Sequence, residues 1–445
     1  MVTVPAPSHL SASDSDRIWH PWTPIQQAQR LTLVSGRGCQ VRDDQGHSYL
    51  DFRSGTLNAT VGYGHPSVVG AISEQAARLM TWDLAEVSTL PARELADRIA
   101  SLLPAPLEYT LFCNSGSEAT EAAVKIARMW HRLQGRRGRT VVMSFADGYH
   151  GVTAAAIAAT ASPFRRDGAG PLPEGYVHLA TPRCAACAAG ENHDGCTVPG
   201  AAEWEAQILS VGPESVAAVL VEPVLSVGGI ITPPPGELAA LRALCDRHGI
   251  LLIADEVATG FGRTGKMFGF EHDLGANGRA PDIITTAKGL TGGYAPLAAV
   301  TVRADIHQAF ARDPLLGGLR HGHTTGGHAT ACAAALAVLD IVEHDKLVPA
   351  AAARGAQLLD ALAALKERPA VRDVRGRGLL IGVEMASGEA AALVARAAQE
   401  RGVLIRAFGP VLTVAPPLII SEEEAGHGAR TLADAIRTLN MGGAR

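Results

Sequence analysis

Aromatic residues are scarce in this sequence, where Phe, Trp and Tyr together make up 4% of 445 residues. A surplus of basic residues is also missing, because 39 Lys and Arg face 44 Asp and Glu and the formal net charge is −5. Proteins that neutralise many phosphates need such a surplus, so nucleic acid is not expected as the main partner. No uninterrupted apolar run is long enough to cross a bilayer, so we expect no association with a membrane.

Cysteine is limited to seven residues, and the first residues do not combine a basic region with an apolar core. We therefore expect no secretion signal and a reducing, cytoplasmic setting. Three cysteines, Cys184, Cys187 and Cys196, stand near His193 and Asp194 in a loop over residues 161–200. Zinc sites usually have four well-spaced ligands, so this group is incomplete. We predict no metal, and whether these cysteines bind one stays open.

Two apolar runs carry the strongest chemical signal in the chain. The run ILLIADE ends in Asp255 and Glu256, and the run PDIITTAKG delivers Lys288 to its end. Such runs predict strands that are buried on both faces, and ligands of open α/β sheets bind beyond the carboxyl ends of such strands. An acid and an amine are therefore expected at one edge of a sheet. This pair suits pyridoxal 5'-phosphate (PLP), which a lysine holds as a Schiff base while a carboxylate pairs with the ring nitrogen.

A candidate phosphate site lies further upstream. The run YTLFCN at residues 109–114 predicts a strand, and Ser115 followed three places later by Glu118 has the spacing of a capping box. A strand, a Ser-Gly-Ser turn and the start of a helix present free backbone amides to an anion. From this segment alone, a well-capped helix without a ligand is an equally good interpretation.

Helices and strands alternate along most of the chain, with helices predicted over 201–211 and 237–248 around a strand at 216–223. This alternation predicts an α/β fold with a mostly parallel sheet flanked by helices. We expect a large domain over residues 61–325. Residues 1–60 are expected to form an N-terminal arm and part of a smaller α+β domain, which residues 326–445 complete.

The segment GFGRTGK at 260–266 resembles two nucleotide motifs but satisfies neither. Met267 stands where a phosphate-binding loop needs a hydroxyl, and the first glycine lies too far beyond the apolar run for a dinucleotide site. A nicotinamide oxidoreductase is therefore the less favoured class.

Taken together, these residues resemble the class III aminotransferases of PLP fold type I, among them the omega-aminotransferases, from RIWHPWTP to APPLII. The most specific segments are LLIADEVATGFGRTGKMFGFEH and PDIITTAKGLTGGYAPLAAV. The resemblance implies that Lys288 forms the Schiff base and Asp255 pairs with the ring nitrogen. It also implies that Val257 packs on the ring, that Tyr149 stacks on it, and that Glu222 lies near the cofactor hydroxyl.

The same resemblance implies a phosphate site at Ser115, Gly116 and Ser117. Thr324 of the HGHTT motif would reach the phosphate bound by a neighbouring subunit, which implies a homodimer with shared sites.

Substrate contacts are predicted at Arg406 and at Trp22 of the N-terminal arm. Arg406 matches a position where relatives hold substrate carboxylates, for which a guanidinium is well suited, whereas a structural ion pair is the alternative. Two departures from the family pattern stand near the site: Leu225 where Gln is frequent, and Thr325 where Tyr is usual.

The predicted function is an aminotransferase that moves an amino group from a primary amine to a 2-oxo acid by a ping-pong mechanism. The amine would be of the omega-amino acid, polyamine or amino sugar type. Epimerase, racemase or decarboxylase chemistry on the same fold is the alternative that the residues leave open.

Overall fold

The computed structural model describes residues 17–25, 30–183, 198–274 and 279–439. The Cys184, Cys187 and Cys196 group, with His193 and Asp194, lies outside these ranges. The strands, in chain order, are β1 (Leu33–Arg37), β2 (Gln40–Asp43), β3 (Ser48–Asp51), β4 (Leu107–Cys113), β5 (Val141–Phe145), β6 (Tyr176–Leu179), β7 (Val216–Val221), β8 (Leu251–Asp255), β9 (Ile283–Thr286), β10 (Ala298–Arg303), β11 (Val371–Arg377), β12 (Leu380–Met385), β13 (Val403–Leu404), β14 (Arg406–Phe408) and β15 (Val411–Val414).

The helices are α1 (Ser54–Leu57), α2 (Pro66–Arg78), α3 (Leu90–Leu102), α4 (Gly116–Leu133), α5 (Ala154–Ala159), α6 (Pro163–Arg166), α7 (Ala201–Val211), α8 (Glu237–His248), α9 (Ala304–Ala309), α10 (Ala329–His344), α11 (Leu347–Ala363), α12 (Gly388–Glu400) and α13 (Glu422–Leu439). Within the described ranges, no helix is both long enough and apolar enough to cross a bilayer.

A seven-stranded sheet in the order β4-β10-β9-β8-β7-β5-β6 forms the centre of the molecule. Every residue of β7, β8 and β9 is buried, as expected for strands that are covered on both faces. β10 alone runs antiparallel to its two neighbours. Residues 287–297, which join β9 to β10, contain only a short 3-10 turn and loop, and a parallel crossover needs a longer connection. The predicted mostly parallel α/β sheet is confirmed.

Helices cover both faces of this sheet because each has an apolar stripe. On one face α4 packs against β9 and β10 through small and branched residues, including Ala119, Ala123 and Ile126. On the other face α3, α7, α8 and α10 contribute a second cluster that includes Leu95, Ile208 and Leu241. The two clusters hold the parallel strands in a fixed frame, so the residues that follow each strand have fixed positions.

Two smaller four-stranded sheets lie outside the large one. The first joins both ends of the chain, because β13 pairs in parallel with β3 beside β2 and β1. The second has the order β11-β12-β15-β14. A third apolar cluster packs the N-terminal residues Leu50, Phe52 and Val68 against C-terminal residues such as Leu412 and Leu432.

The glycine-rich loop after β8 serves packing between these parts of the molecule. Residues 257–268 form turns rather than the helix that a dinucleotide motif requires. Gly265 has φ +83°, and a Cβ at this position would lie 2.9 Å from the Cβ of Ala352 on α11. The glycine therefore allows the close approach of α11 to this loop, which gives the motif a structural explanation.

Candidate active site

Six strands of the large sheet, β4 to β9, share one direction, so their carboxyl ends lie along the same edge. A cavity of about 460 Å³ lies at this edge. Its size falls within the range of small-molecule sites, roughly 300 to 1,000 Å³. The predicted site residues that line it are Ser115, Gly116, Ser117, Tyr149, Glu222, Asp255, Val257 and Lys288.

Asp255 ends β8 with its carboxylate almost completely buried. One oxygen accepts from His150 Nδ1 at 2.7 Å, in the tautomer that carries the proton on Nδ1. The other accepts from the Val257 backbone amide at 3.1 Å and from Thr285 Oγ1 at 3.2 Å. These donors orient the carboxylate and stabilise its charged form in an apolar setting. A buried anion at the cavity wall can hold a protonated ring nitrogen of a ligand.

Lys288 follows β9 and begins a short 3-10 turn with φ +31°. A residue with a side chain rarely adopts this left-handed region, and such strain is concentrated at functional sites. Burial lowers the pKa of its ammonium from 10.5, while the carboxylates of Glu222 and Asp255 raise it. The net shift is downward, so burial outweighs the two carboxylates. A lysine with a lowered pKa supplies more of the neutral, nucleophilic amine.

The turn before α4 has the geometry of an anion site. Ser115 is the N-cap of α4, and its hydroxyl accepts from the Glu118 amide at 3.2 Å. The Glu118 carboxylate in turn accepts from the Asn114 amide at 2.7 Å, so the predicted reciprocal cap is present with a shift of one residue. A Cβ on Gly116 would lie 2.9 Å from Val257 Cγ1. Gly116 thus lets the helix start approach the cavity wall, where its amides and dipole favour a phosphate.

Glu222 positions the aromatic wall of the cavity. Its Oε1 accepts from the Tyr149 backbone amide at 3.0 Å, and its Oε2 accepts from the Ser226 amide at 3.0 Å and the Ser226 hydroxyl at 2.6 Å. Burial raises the pKa of Glu222. Tyr149 follows β5 and lines the same cavity. Its ring is therefore held by its backbone next to the space between Lys288 and Asp255.

Three predicted site residues do not line the main cavity. Arg406 lies in a side chamber next to it. Trp22 is 51% exposed, with the Cζ of Arg165 5.4 Å from its ring centre. Thr324 is exposed, whereas its neighbour Thr325 donates to Asn114 Oδ1 at 2.8 Å. The HGHTT segment thus reaches the phosphate turn of its own chain through Thr325.

Some residues of the site were not assigned a role by the sequence analysis. His150 stands directly after Tyr149 at a strand end, and that position was the available signal. Ser226 lies four residues after Glu222, a spacing that gives no specific signal in a loop. Thr285 sits inside a strand and carries none. Leu225, expected near the site, is fully buried in the core beneath it and pairs with Ile231.

The residues of the cavity fit PLP. One space of suitable size is lined by the Lys288 amine, the buried Asp255 carboxylate and the Tyr149 ring. The start of α4 also lines it, and Gly116 leaves the backbone there accessible because it has no Cβ. A mostly parallel sheet whose strand ends carry these residues is characteristic of the fold type I PLP enzymes.

Comparison with known proteins gives the family. The class III aminotransferase family model matches residues 24–436, and the chain belongs to this family, whose members depend on PLP. It is 37% identical to the uncharacterized aminotransferase YhxA of Bacillus subtilis over 447 residues, covering 97% of each protein. It is 35% identical to the omega-aminotransferase of Caulobacter vibrioides, covering 95% of this chain and 98% of that one. A PLP-bound amine transaminase structure from an uncultivated Pseudomonas species matches with a TM-score of 0.87 and 35% identity, covering 95% and 99% of the two chains.

This assignment confirms the predicted cofactor and amino transfer from amines to 2-oxo acids. It favours that chemistry over the epimerase, racemase, decarboxylase and nicotinamide-dependent alternatives.

Proposed function

We propose that this enzyme transfers the amino group of a primary amine that is remote from a carboxylate, or has none, to a 2-oxo acid in two half-reactions. The observation that carries the proposal is the convergence of Lys288, Asp255 and the Ser115 turn on one cavity. The Caulobacter relative is an omega-aminotransferase, which supports this class of amine. The omega-amino acid, polyamine and amino sugar types remain the candidates.

In this proposal five residues would hold PLP. Asp255 would pair with the ring nitrogen, Lys288 would carry the cofactor through its amine, and the backbone amides of Ser115, Gly116 and Ser117, with the two serine hydroxyls, would hold the phosphate. When bound, PLP acts as an electron sink for the carbanion formed at the substrate carbon.

Tyr149 and Val257 would enclose the ring between them, with Glu222 on the hydroxyl side. His150 keeps Asp255 in place, since it is the nearest donor to that carboxylate.

Proton transfer falls to Lys288. Its amine is buried and has a lowered pKa, so the neutral form is available to take a proton from the substrate carbon. The same Nζ can then return that proton to a neighbouring carbon.

The experiment follows the first half-reaction. The PLP-loaded protein is mixed with a panel of amines without an acceptor, and the ketone or aldehyde product is quantified. We expect one equivalent of product per site and a matching change in absorbance for the correct amine. Lys288→Ala should abolish both, whereas Lys266→Ala, at an exposed position in a nearby loop, should retain both. A cofactor-loaded protein that releases no carbonyl product from any amine contradicts the proposal.

We further propose that Arg406 and Trp22 contact the substrate. Arg406 lies in the chamber next to the cavity, and Trp22 stacks with Arg165, which also stacks on Phe408 of that chamber. Arg406→Gln should raise the KM for 2-oxo acids more than the KM for uncharged amines, because only the acids carry the carboxylate.

A homodimer with shared sites is the proposed assembly. Thr324 is exposed and does not line the cavity of its own chain, which leaves it free to reach a second copy. Large apolar side chains are exposed in three places: shortly before Thr324, on the connection between α2 and α3, and at the first residue of α3. They are Leu315, Leu316, Leu79, Met80, Trp82 and Leu90. Light scattering should give the mass of two chains.

Subunit mixing tests the shared site. Thr324→Glu and Lys288→Ala should each have little activity alone, and after mixing by denaturation and refolding one intact site per mixed dimer should appear. No recovery would place Thr324 in the site of its own subunit, and full activity of Thr324→Glu alone would place it outside any site.

We also propose that the chain is divided into an N-terminal arm and part of the small domain (1–60), a large domain (61–325) and the rest of the small domain (326–445). The separate apolar clusters support this division, although α10 contributes residues to both clusters. A cytoplasmic location is supported by the four described cysteines, which are buried free thiols.

A further inference from the structure

A narrow side chamber adjoins the main cavity and shares Thr56 and Ser226 with it. Arg53, Arg406 and Phe408 also line this chamber, whose free volume is about 30 Å³. That volume is about the share of one water molecule in the liquid, so the chamber suits one end of a substrate and not a whole substrate. The reacting carbon would then lie in the main cavity near Lys288.

Two guanidinium groups line this chamber, those of Arg53 after β3 and Arg406 at the start of β14. A third, that of Arg165 on α6, stacks on Phe408, which also lines the chamber. The Cζ of Arg165 lies 4.5 Å from the ring centre of Phe408 and 5.0 Å from that of Tyr149. The pKa of Arg406 is lowered, first by burial and then by the positive charges of Arg53 and Arg165. Three cations thus lie close enough to disfavour one another.

None of these three groups has a carboxylate within 4.0 Å in the described part of the chain. The Arg53 Nε donates to the Gly55 carbonyl at 2.7 Å, and an Arg165 terminal nitrogen donates to the Ser162 hydroxyl at 3.1 Å. The Nε of Arg165 is buried without a hydrogen-bond partner. Stacking on aromatic rings offsets part of the cost of burying Arg165 but neutralises no charge.

Other partly buried arginines of the protein are arranged differently. Arg183 and Arg375 both reach the carboxylate of Glu384, at 2.7 and 2.6 Å. Arg263, in contrast, is buried with only neutral oxygen acceptors, so the lack of a paired carboxylate is not special to the chamber. What distinguishes the cluster is that three cations lie close together, with Glu222 as a favourable charge for Arg165 beyond ion-pair distance. An anion from outside would offset the mutual repulsion of these cations.

We propose that Arg53 and Arg165 bind a second acidic group of the substrate, so that the 2-oxo acid acceptor is a dicarboxylic acid. This second group would occupy the chamber, where Arg406 also lies, and the carboxylate next to the reacting carbon would stay in the main cavity. This inference rests on the proposed function, because it specifies the acceptor of the same site. It assigns Arg53 and Arg165 as specificity-determining residues and gives them no part in proton transfer.

The test measures binding without turnover, so that it stays separate from the test of transamination. The PLP-loaded protein is titrated calorimetrically with glutarate, a five-carbon diacid that cannot react, and with its monoamide, which has nearly the same shape and one acidic group fewer. We expect glutarate to bind about 10- to 100-fold more tightly than the monoamide, the range for one hydrogen-bonded charge pair. This preference should shrink at high salt.

Variants then assign the preference to residues. Arg53→Gln and Arg165→Gln should each reduce the diacid-to-monoamide ratio several-fold, and Arg53→Lys should keep part of it. Arg166→Gln is the matched control, because Arg166 is the next residue on α6 but contacts His178 instead of the chamber. The ratio does not depend on the fraction of protein that is folded, so a partly unstable variant remains informative.

Equal affinity for glutarate and its monoamide in the unaltered protein would overturn the proposal, as would no detectable binding of glutarate. A preference that persists in both Arg53→Gln and Arg165→Gln would also overturn it and would leave these residues a structural role. A diacid preference that depends on Arg53 and Arg165, in a protein that transaminates no amine, would refute only the proposed function.

Discussion

Replacing Gly116 by Ala should weaken cofactor binding, because the site has no room for the added methyl group. A Cβ at this position would lie 2.9 Å from Val257 Cγ1 and 3.2 Å from Val257 Cγ2. Carbon atoms pack best at about 3.5 to 4.0 Å, so one of the two residues has to move by several tenths of an ångström. Val257 is β-branched and stiff at χ1, so its side chain moves as a unit.

The cavity is the open direction for that movement, since Val257 lines it. The displaced side chain would enter the space that we assign to the PLP ring. Overpacking of this kind costs about 1 to 3 kcal/mol, which corresponds to a loss of about 5- to 150-fold in PLP affinity. The affinity is measured by titrating the cofactor-free protein with PLP and following the quenching of its fluorescence.

Gly70→Ala provides the control, because no atom lies within 4 Å of the position that a Cβ would take on α2. It should leave PLP affinity unchanged and stabilise the fold by about 0.5 to 1 kcal/mol, as Ala does in a helix interior. Gly116→Ala should lose more free energy of PLP binding than free energy of unfolding. The thermal midpoint of the cofactor-free protein measures the second quantity. Wild-type affinity and wild-type stability in Gly116→Ala together would refute the close contact between the helix start and Val257.

Three further predictions concern buried charges. The Glu222 carboxylate raises the pKa of Lys288, so that pKa should be lower in Glu222→Gln. The PLP association rate, which increases as Lys288 loses its proton, should then increase at a lower pH in stopped-flow absorbance measurements. Arg242 and Asp282 form a buried ion pair at 2.7 Å, and Arg303 also reaches Asp282. Because Asp282 keeps this second partner, Arg242→Met should lower the free energy of unfolding in urea by only about 3 kcal/mol, the lower limit for breaking a buried pair. Burial raises the pKa of Glu256 from 4.5 to about 7, so the native state binds more protons than the unfolded state in this window. Stability should therefore fall by up to about 3 kcal/mol between pH 4.5 and 7, and Glu256→Gln should lack this fall.

The sequence predicted the parts of the site that depend on local patterns. The apolar runs before Asp255 and Lys288 are buried strands, and Ser115 caps α4 through Glu118. Strand burial and helix capping depend on neighbours within a few residues, so a single sequence contains the necessary information. The rule that ligands bind beyond strand ends then placed Asp255 and Lys288 at one edge.

Contacts between distant segments could not be predicted in this way. His150 and Asp255 are 105 residues apart in the chain and meet only because β5 and β8 both flank β7. No local pattern encodes the order of strands in a sheet, and the two partners carry no shared signal. The arginine cluster is harder still, because Arg53, Arg165 and Arg406 come from three separate segments and each resembles an ordinary surface arginine when considered alone.

Charge is divided across the site in a way that orients a substrate. The carboxylates of Glu222 and Asp255 lie beside Lys288, whereas the guanidinium groups of Arg53 and Arg406 line the adjoining chamber. An amine or ammonium end is attracted to the first side and repelled from the second, and an acidic end is attracted to the second. Both forces act at short range in a partly buried space, where the effective dielectric constant is well below that of water. In the proposed reaction this division of charge would present the nitrogen-bearing carbon to Lys288 before any contact specific to one substrate is made, and the arginines of the chamber would select among 2-oxo acids by their second acidic group.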